Sequence, residues 1–359
     1  MHRCNMVTRR NALATIGAGS LVGVAGCLGS IWGSGGTLQH IDFGGNTQDA
    51  QMEIIDRWAE ESDYDVEATA GGGTTEMISM IKQNPGEFDT VAFNDTGISQ
   101  ARQEGILEPI DLGEVPNYEE NIRDPARELE FLFEDGEVIG LIRENGGTGY
   151  AYNTEHVDRE LTSWQDIKDP EFEGELALLD RAIDRFANCA VAIDVDINEA
   201  AQDDDLFEEV VAEAEEQHQN TFSYWSDGAT SIQYLQQENA MICEAWGGRV
   251  LALQEDGYDH IEYVMPEEGT MAWTDTLSIV EGTENREAVH DLLNFIYERE
   301  NLIDLSDMMN YTVQINDPPE EMQALPDFAP IEDLTFSDWD VVLPKQDEWS
   351  ERFQEVKQG

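Results

Sequence analysis

Two tryptophans sit where an indole face and a carboxylate could meet a cation. Trp273-Thr274-Asp275 places a Trp two residues before an Asp, and both lead into the apolar run 276–280. Trp246 closes the strand-like segment 241–245 and is followed by Gly247-Gly248. A protonated amine over a Trp face gains roughly 0.5–2 kcal/mol, more when desolvated. A buried ammonium must also meet a carboxylate or other acceptors, or its desolvation outweighs that gain. A Trp taken alone packs into a core as readily as it lines a cleft. A place after a strand, beside Gly-Gly or Asp, turns Trp246 and Trp273 toward a cleft.

Signatures of bond-breaking chemistry are absent. The chain has no G-x-x-x-x-G-K-[ST], G-x-S-x-G, H-E-x-x-H or G-x-G-x-x-G. Its six His are scattered and pair with no Cys or Ser in a recognisable arrangement. Cys189 and Cys243 are too far apart for a CxxC motif; they form either one disulfide or two buried thiols. Gly71-Gly72-Gly73 before a helix could hold an anion on free N–H groups, or serve as a strand-to-helix turn. Asp203-Asp204-Asp205 reads as solvated surface, and no EF-hand loop is present. No enzyme activity, cofactor or metal is expected.

The elements that must position these residues alternate strand and helix. Residues 38–43 predict a strand, followed after Gly44-Gly45-Asn46 by a helix over 51–61 with Met52, Ile55, Trp58 and Ala59 on one face. Strands follow at 65–68 and 88–93, with helices through Met77, Ile78 and Ile81 and over 99–104. This βαβαβ rhythm indicates a mainly parallel sheet covered by helices. A second such region begins near Gly149, with a helix start at Trp164, a strand at 176–179 and an acidic helix over 205–217. A helix over 286–297 and a C-terminal helix over 349–356 complete the pattern, and the length suggests two domains.

The chain has 77 acidic and 19 basic residues, a net charge of −58. Residues 1–26 hold Arg3, Arg9 and Arg10 and no acid, so the remainder carries ~ −61. Charge of this size destabilises a compact chain by self-repulsion. At molar salt the Debye length falls to about 3 Å and screens most of it. With 40% apolar residues and only four Lys, the composition reads as adaptation to near-saturating salt, not disorder. With no basic patch to neutralise phosphates, no nucleic-acid partner is expected.

The N-terminus carries an address. Arg9-Arg10, the apolar stretch 14–24 and Ala25-Gly26-Cys27 have the order of a twin-arginine lipoprotein signal. Residues 1–26 would be removed, Cys27 acylated, and 27–36 left as a Gly/Ser-rich tether. The protein is then expected on the outer face of the cell membrane, held by the lipid on Cys27.

From residue 38 to the C-terminal helix the chain resembles the spermidine/putrescine-binding proteins of ABC importers. The segments that carry the likeness are Trp246-Gly247-Gly248, Trp273-Thr274-Asp275-Thr276-Leu277, the helix 288–297, Asn310-Tyr311-Thr312-Val313 and Trp339-Asp340. The resemblance implies an α/β, type II periplasmic-binding-protein fold, with two lobes closing by hinge motion on a ligand. It implies lobe 1 over 37–148 plus 274–325 and lobe 2 over 149–273 plus 326–359. It further implies that Trp246, Trp273 and Tyr311 belong to an aromatic box and that Asp275 is the central amine-binding carboxylate. On the same pattern Asp340 and Asp184 lie near the cleft. The expected partners are a small solute, a polyamine first, and a membrane ABC permease, with the protein acting as a monomer.

Three segments depart from that family. Gly44-Gly45-Asn46-Thr47 replaces its first-lobe aromatics, Asn94-Asp95-Thr96-Gly97 replaces a Ser/Tyr loop, and Arg181, with Arg185 nearby, stands about where an acid is expected. An Arg in the cleft would repel a polyamine and favour a carboxylate, so an amino-acid-like or carboxylate-bearing solute is the alternative. Ferric iron would need clustered Tyr, for which Tyr150, Tyr152, Tyr224 and Tyr311 are available; a secreted hydrolase is the remaining alternative.

Overall fold

The computed structural model describes residues 35–359. The signal 1–26, Cys27 and the tether as far as Ser34 lie outside the described residues. Ten strands form one sheet: β1 (Thr37–Asp42), β2 (Asp65–Ala70), β3 (Thr90–Asn94), β4 (Leu107–Glu108), β5 (Leu141–Asn153), β6 (Leu176–Leu179), β7 (Thr221–Trp225), β8 (Ile242–Trp246), β9 (Ile261–Val264) and β10 (Ala272–Val280). The spatial order is β2-β1-β3-β10-β5-β8-β6-β7, with β9 added to β5 and β4 to β10. The β2-β1-β3 and β8-β6-β7 groups are parallel, while β10 and β5 run antiparallel to their neighbours.

β5 is the strand that joins two lobes. Its first half, Leu141 to Gly147, pairs with β10; its second half, Thr148 to Tyr152, pairs with β8. All thirteen residues are buried, which explains why their sequence does not alternate polar and apolar. Opposite Asp275 the register slips, leaving Arg143 as the extra residue of a bulge between the Asp275/Glu144 and Thr276/Ile142 pairs. A bulge re-aims side chains and bends the strand locally.

Ten helices bear on the site or the core: α1 (Asn46–Glu61), α2 (Thr74–Gln83), α3 (Asp95–Glu104), α4 (Ala182–Ala192), α5 (Asp204–His218), α6 (Gly228–Gln236), α7 (Gly247–Glu255), α8 (Arg286–Ile296), α9 (Arg299–Met309) and α10 (Gln346–Val356). α1 buries Ala50, Ile54, Ile55 and Trp58, and the Trp58 indole donates to Asp291 on α8 at 2.9 Å. α10 fastens the C-terminus to the second lobe: the Trp349 ring stacks on Phe207 at 4.8 Å and meets Phe186 edge-on.

The βαβαβ start, the strand at 176–179 and the helices over 286–297 and 349–356 are present, the helices beginning up to five residues earlier than the apolar period suggests. The second region, expected to begin near Gly149, opens within a strand and not after a break, since β5 runs from Leu141 through that point and pairs with β8 from Thr148 onward. The helix start at Trp164 amounts to a single 3₁₀ turn, Asp166–Lys168. Cys189 and Cys243 are buried free thiols. Among the described residues no helix is long and apolar enough to cross a membrane.

Candidate ligand-binding cleft

Open α/β sheets bind ligands beyond the carboxyl ends of their parallel strands. Here β1, β2, β3, β6, β7 and β8 each end at one cavity, and the helix that follows each strand starts there. The cavity holds about 920 Å³, within the ~300–1,000 Å³ range of small-molecule sites. Gly71, Gly72 and Gly73 line it as the turn from β2 into α2, with Gly73 at a φ of 149°.

Three aromatics form one side. Trp273, the second residue of β10, meets Tyr311 edge-on with ring centroids 4.9 Å apart. Trp246, at the end of β8, donates through its indole N–H to Thr148 at 3.1 Å and abuts Trp225 at 5.2 Å. Glycines make the close packing possible. A Cβ on Gly248 would come within 2.6 Å of the Tyr311 ring, and one on Gly146 within 2.6 Å of the Trp273 ring. Asn310, left-handed at the C-cap of α9, turns the chain to deliver Tyr311.

Beneath the aromatics lies a buried charge cluster. Arg143 is fully buried and pairs with Asp42 at 2.7 Å, with Glu144 through two nitrogens, and with Asp275 at 3.3 Å. Burial pushes the Asp42 carboxyl up, but Arg143 and His40 outweigh it and hold Asp42 well below the usual carboxylate range. Burial and the facing Glu144 push Asp275 far up against the pull of Arg143. Burial raises Glu144 too, again opposed by Arg143. One guanidinium thus serves three carboxyl groups, and Asp275, the one that lines the cavity, is driven toward its neutral form when no ligand cation faces it.

Residues 53–330 match the family described as bacterial extracellular solute-binding proteins. The chain belongs to that family. It is similar to spermidine/putrescine-binding periplasmic protein 1 of Haemophilus influenzae, 26% identical over 246 residues covering 68% of this chain and 66% of that relative. It is also similar to the spermidine/putrescine-binding periplasmic protein of Escherichia coli, 25% identical over 245 residues, 68% of each chain. The matches span about two thirds of the length of these curated relatives. Among solved structures, the spermidine/putrescine substrate-binding protein PotD of Streptococcus pneumoniae superposes with a TM-score of 0.78. That match has 20% identity and covers 90% of this chain and 98% of the other. The fold is the two-lobed α/β arrangement of such proteins.

In this solute-binding protein Trp246, Trp273, Asp275, Tyr311 and Asp184 all line the cavity. Asp340 does not. It is exposed, in the short helix Trp339–Val342, and pairs with Arg102 on α3. Successive helical residues point about 100° apart, and the buried Trp339 takes the inward direction. Of the four tyrosines weighed as iron ligands, only Tyr311 lines the cavity; Tyr150, Tyr152 and Tyr224 bond Ser163, Glu262 and His218 elsewhere. Arg181 lines the cavity, whereas Arg185 is buried away from it, pairing with Glu244 at 2.7 Å.

Sequence reasoning missed Arg143, Glu144, Asp42, Asp95 and Arg249. Asp95, the first residue of α3, is 2% exposed, and its Oδ2 has no hydrogen-bond partner. Burial, countered by the Thr96 N–H and aided by Asp184 across the cleft, brings its carboxyl up to about 7. Burial also raises Asp184, against the pull of Arg181. The available signal was Arg143-Glu144, two opposite charges side by side directly after the apolar pair Leu141-Ile142.

Proposed function

We propose that the protein captures a cationic amine between its lobes, a polyamine such as spermidine or putrescine first, and delivers it to the membrane permease of an ABC importer. The observation that carries this reading is Asp275, set on the buried cluster with Trp273 beside it and Trp246 and Tyr311 in the same cavity. Five carboxylates and two guanidiniums line that cavity, so it attracts a cation. Indole faces and a desolvated carboxylate are what an alkylammonium needs. The names of the relatives agree, as does the family. Nothing in this mechanism breaks a covalent bond; closure of the lobes is the working step.

The lobes in this reading are 37–148 plus 274–325 and 149–273 plus 326–359, working as a monomer. The twin-arginine signal exports the chain, and lipid on Cys27 holds it outside the cell, beside its permease. The acidic surface suits an organism that lives in concentrated salt.

Thermal-shift and calorimetric titration of the mature chain in molar KCl tests the ligand. A ligand at 100 times its dissociation constant stabilises by about 2.7 kcal/mol. Spermidine or putrescine at millimolar concentration is expected to raise the melting temperature. If both leave it unchanged while another solute raises it, the polyamine assignment is wrong.

A further inference from the structure

Acids outnumber bases about four to one in this chain, so a cation without an acceptor is an anomaly. Among the described residues every Lys, and every Arg but two, has a carboxylate or a carbonyl partner; Arg299, for example, holds the carbonyls of Asn316 and Asp317. The two exceptions are Arg181 and Arg249, and both line the ligand cavity. They also share a neighbour, lying 5.7 and 5.6 Å from the Trp246 ring centroid. Asp184 and Asp227 are close enough to feel them but do not bond them.

The elements beneath add to the anomaly. Arg181 is the N-cap of α4 and Trp246 the N-cap of α7, and neither helix start has a side-chain cap. Free N–H groups and the positive end of the helix dipole favour an anion there. A guanidinium presents a planar fork of donors that matches a carboxylate in two-point fashion. Elsewhere in this chain such forks are met by the protein's own acids.

We propose that Arg181 and Arg249 form an anion subsite on the Trp246 wall of the cleft, and that it takes a carboxylate. The proposal rests on the reading that the same cleft holds an amine at Asp275. The carboxylate has two possible sources: the amine solute itself, which would then be an amino acid with separated charges, or a small carboxylate bound beside a plain diamine.

Calorimetric titration of the mature chain in molar KCl separates them, using putrescine, 4-aminobutanoate, acetate, and putrescine with acetate present. If the solute brings its own carboxylate, 4-aminobutanoate binds at least tenfold tighter than putrescine. If a separate carboxylate binds, acetate tightens putrescine. In either case Arg181→Gln with Arg249→Gln weakens the carboxylate effect at least tenfold and tightens putrescine itself, because two cations are gone from the cleft. Arg181→Lys, which keeps the charge and loses the fork, restores only part of the effect. Melting curves confirm that the variants fold.

Binding of putrescine with no effect of carboxylate, or of the Arg changes on it, overturns the subsite and keeps the amine reading. Binding of acetate that needs both Arg, with no amine bound, keeps the subsite and removes the amine reading. No binding of either kind removes both.

Discussion

Arg143 reaches Asp275 at 3.3 Å from inside the protein, on the side away from the cavity. The carboxylate expected to meet an incoming cation is therefore already touched by a resident one. That resident cation is shared with Asp42 and Glu144, so its pull toward the ionised form does not overcome burial and Glu144, which favour the neutral carboxyl at Asp275.

Asp275→Asn is expected to weaken a cationic amine at least tenfold, about 1.4 kcal/mol. The melting temperature of the ligand-free protein does not fall. Burial and Glu144 already drive the Asp275 carboxyl toward its neutral form, which an amide imitates. Titration calorimetry and melting curves in molar KCl measure both; unchanged affinity removes Asp275 from the site.

Arg143→Met leaves Asp42, Glu144 and Asp275 without their common cation. Removing one partner of a buried charge group costs about 3–5 kcal/mol, and urea unfolding of the variant is expected to show a loss of that order. A loss below about 1 kcal/mol would mean that the three acids share protons well enough to dispense with it.

Asp95 and Asp327 are both buried, and burial brings each carboxyl up to about 7. An unfolded Asp titrates near 3.9. Between about pH 4 and about pH 7 the folded chain binds more protons at these sites than the unfolded chain, so their contribution to stability falls as pH rises through that window. Amine affinity moves the opposite way, because Asp95 becomes an anion facing the cleft near neutrality. Titrations at about pH 6 and pH 8 should show several-fold tighter binding at the higher pH, and Asp95→Asn should flatten the difference. Equal affinity at both pH values in the unaltered protein would put Asp95 outside the ligand's reach.

The melting temperature is expected to climb steeply between dilute and molar KCl, as the Debye length shrinks from about 10 Å at 0.1 M to about 3 Å at 1 M. Calorimetry across that range measures it. A flat profile would contradict the reading of the −58 charge as salt adaptation.

Much of the architecture is legible in the sequence, because amphipathic helices such as α1 and α8 and apolar strands such as β6 carry their period openly. Trp246 is legible because it ends β8 before two glycines, and Trp273 and Asp275 because a Trp and an Asp two residues apart lead into an apolar run. β5 is not. Its polar residues, Arg143, Glu144 and Asn145, are buried by pairing with residues from β1, β10 and the segment after α9, and pairing across more than a hundred residues leaves no local pattern. Asp340 shows the reverse error: its position in the chain is near the cleft, but a rotation of one helical residue sends it to solvent. Asp95 was hidden for a third reason, since an Asp opening a helix looks like a turn residue until the opposite lobe is placed across from it.

The single strand β5 has a consequence for how the molecule comes apart. Gly146 and Gly147 belong to the run that pairs with β10, and Thr148 begins the run that pairs with β8. Each half of the strand therefore pairs only with the strands on its own side, and β5 carries the backbone unbroken from one set to the other. A cut at Gly146–Gly147 should therefore release the solute before either half unfolds, because it severs one link between the two sets of strands and leaves the pairing within each intact.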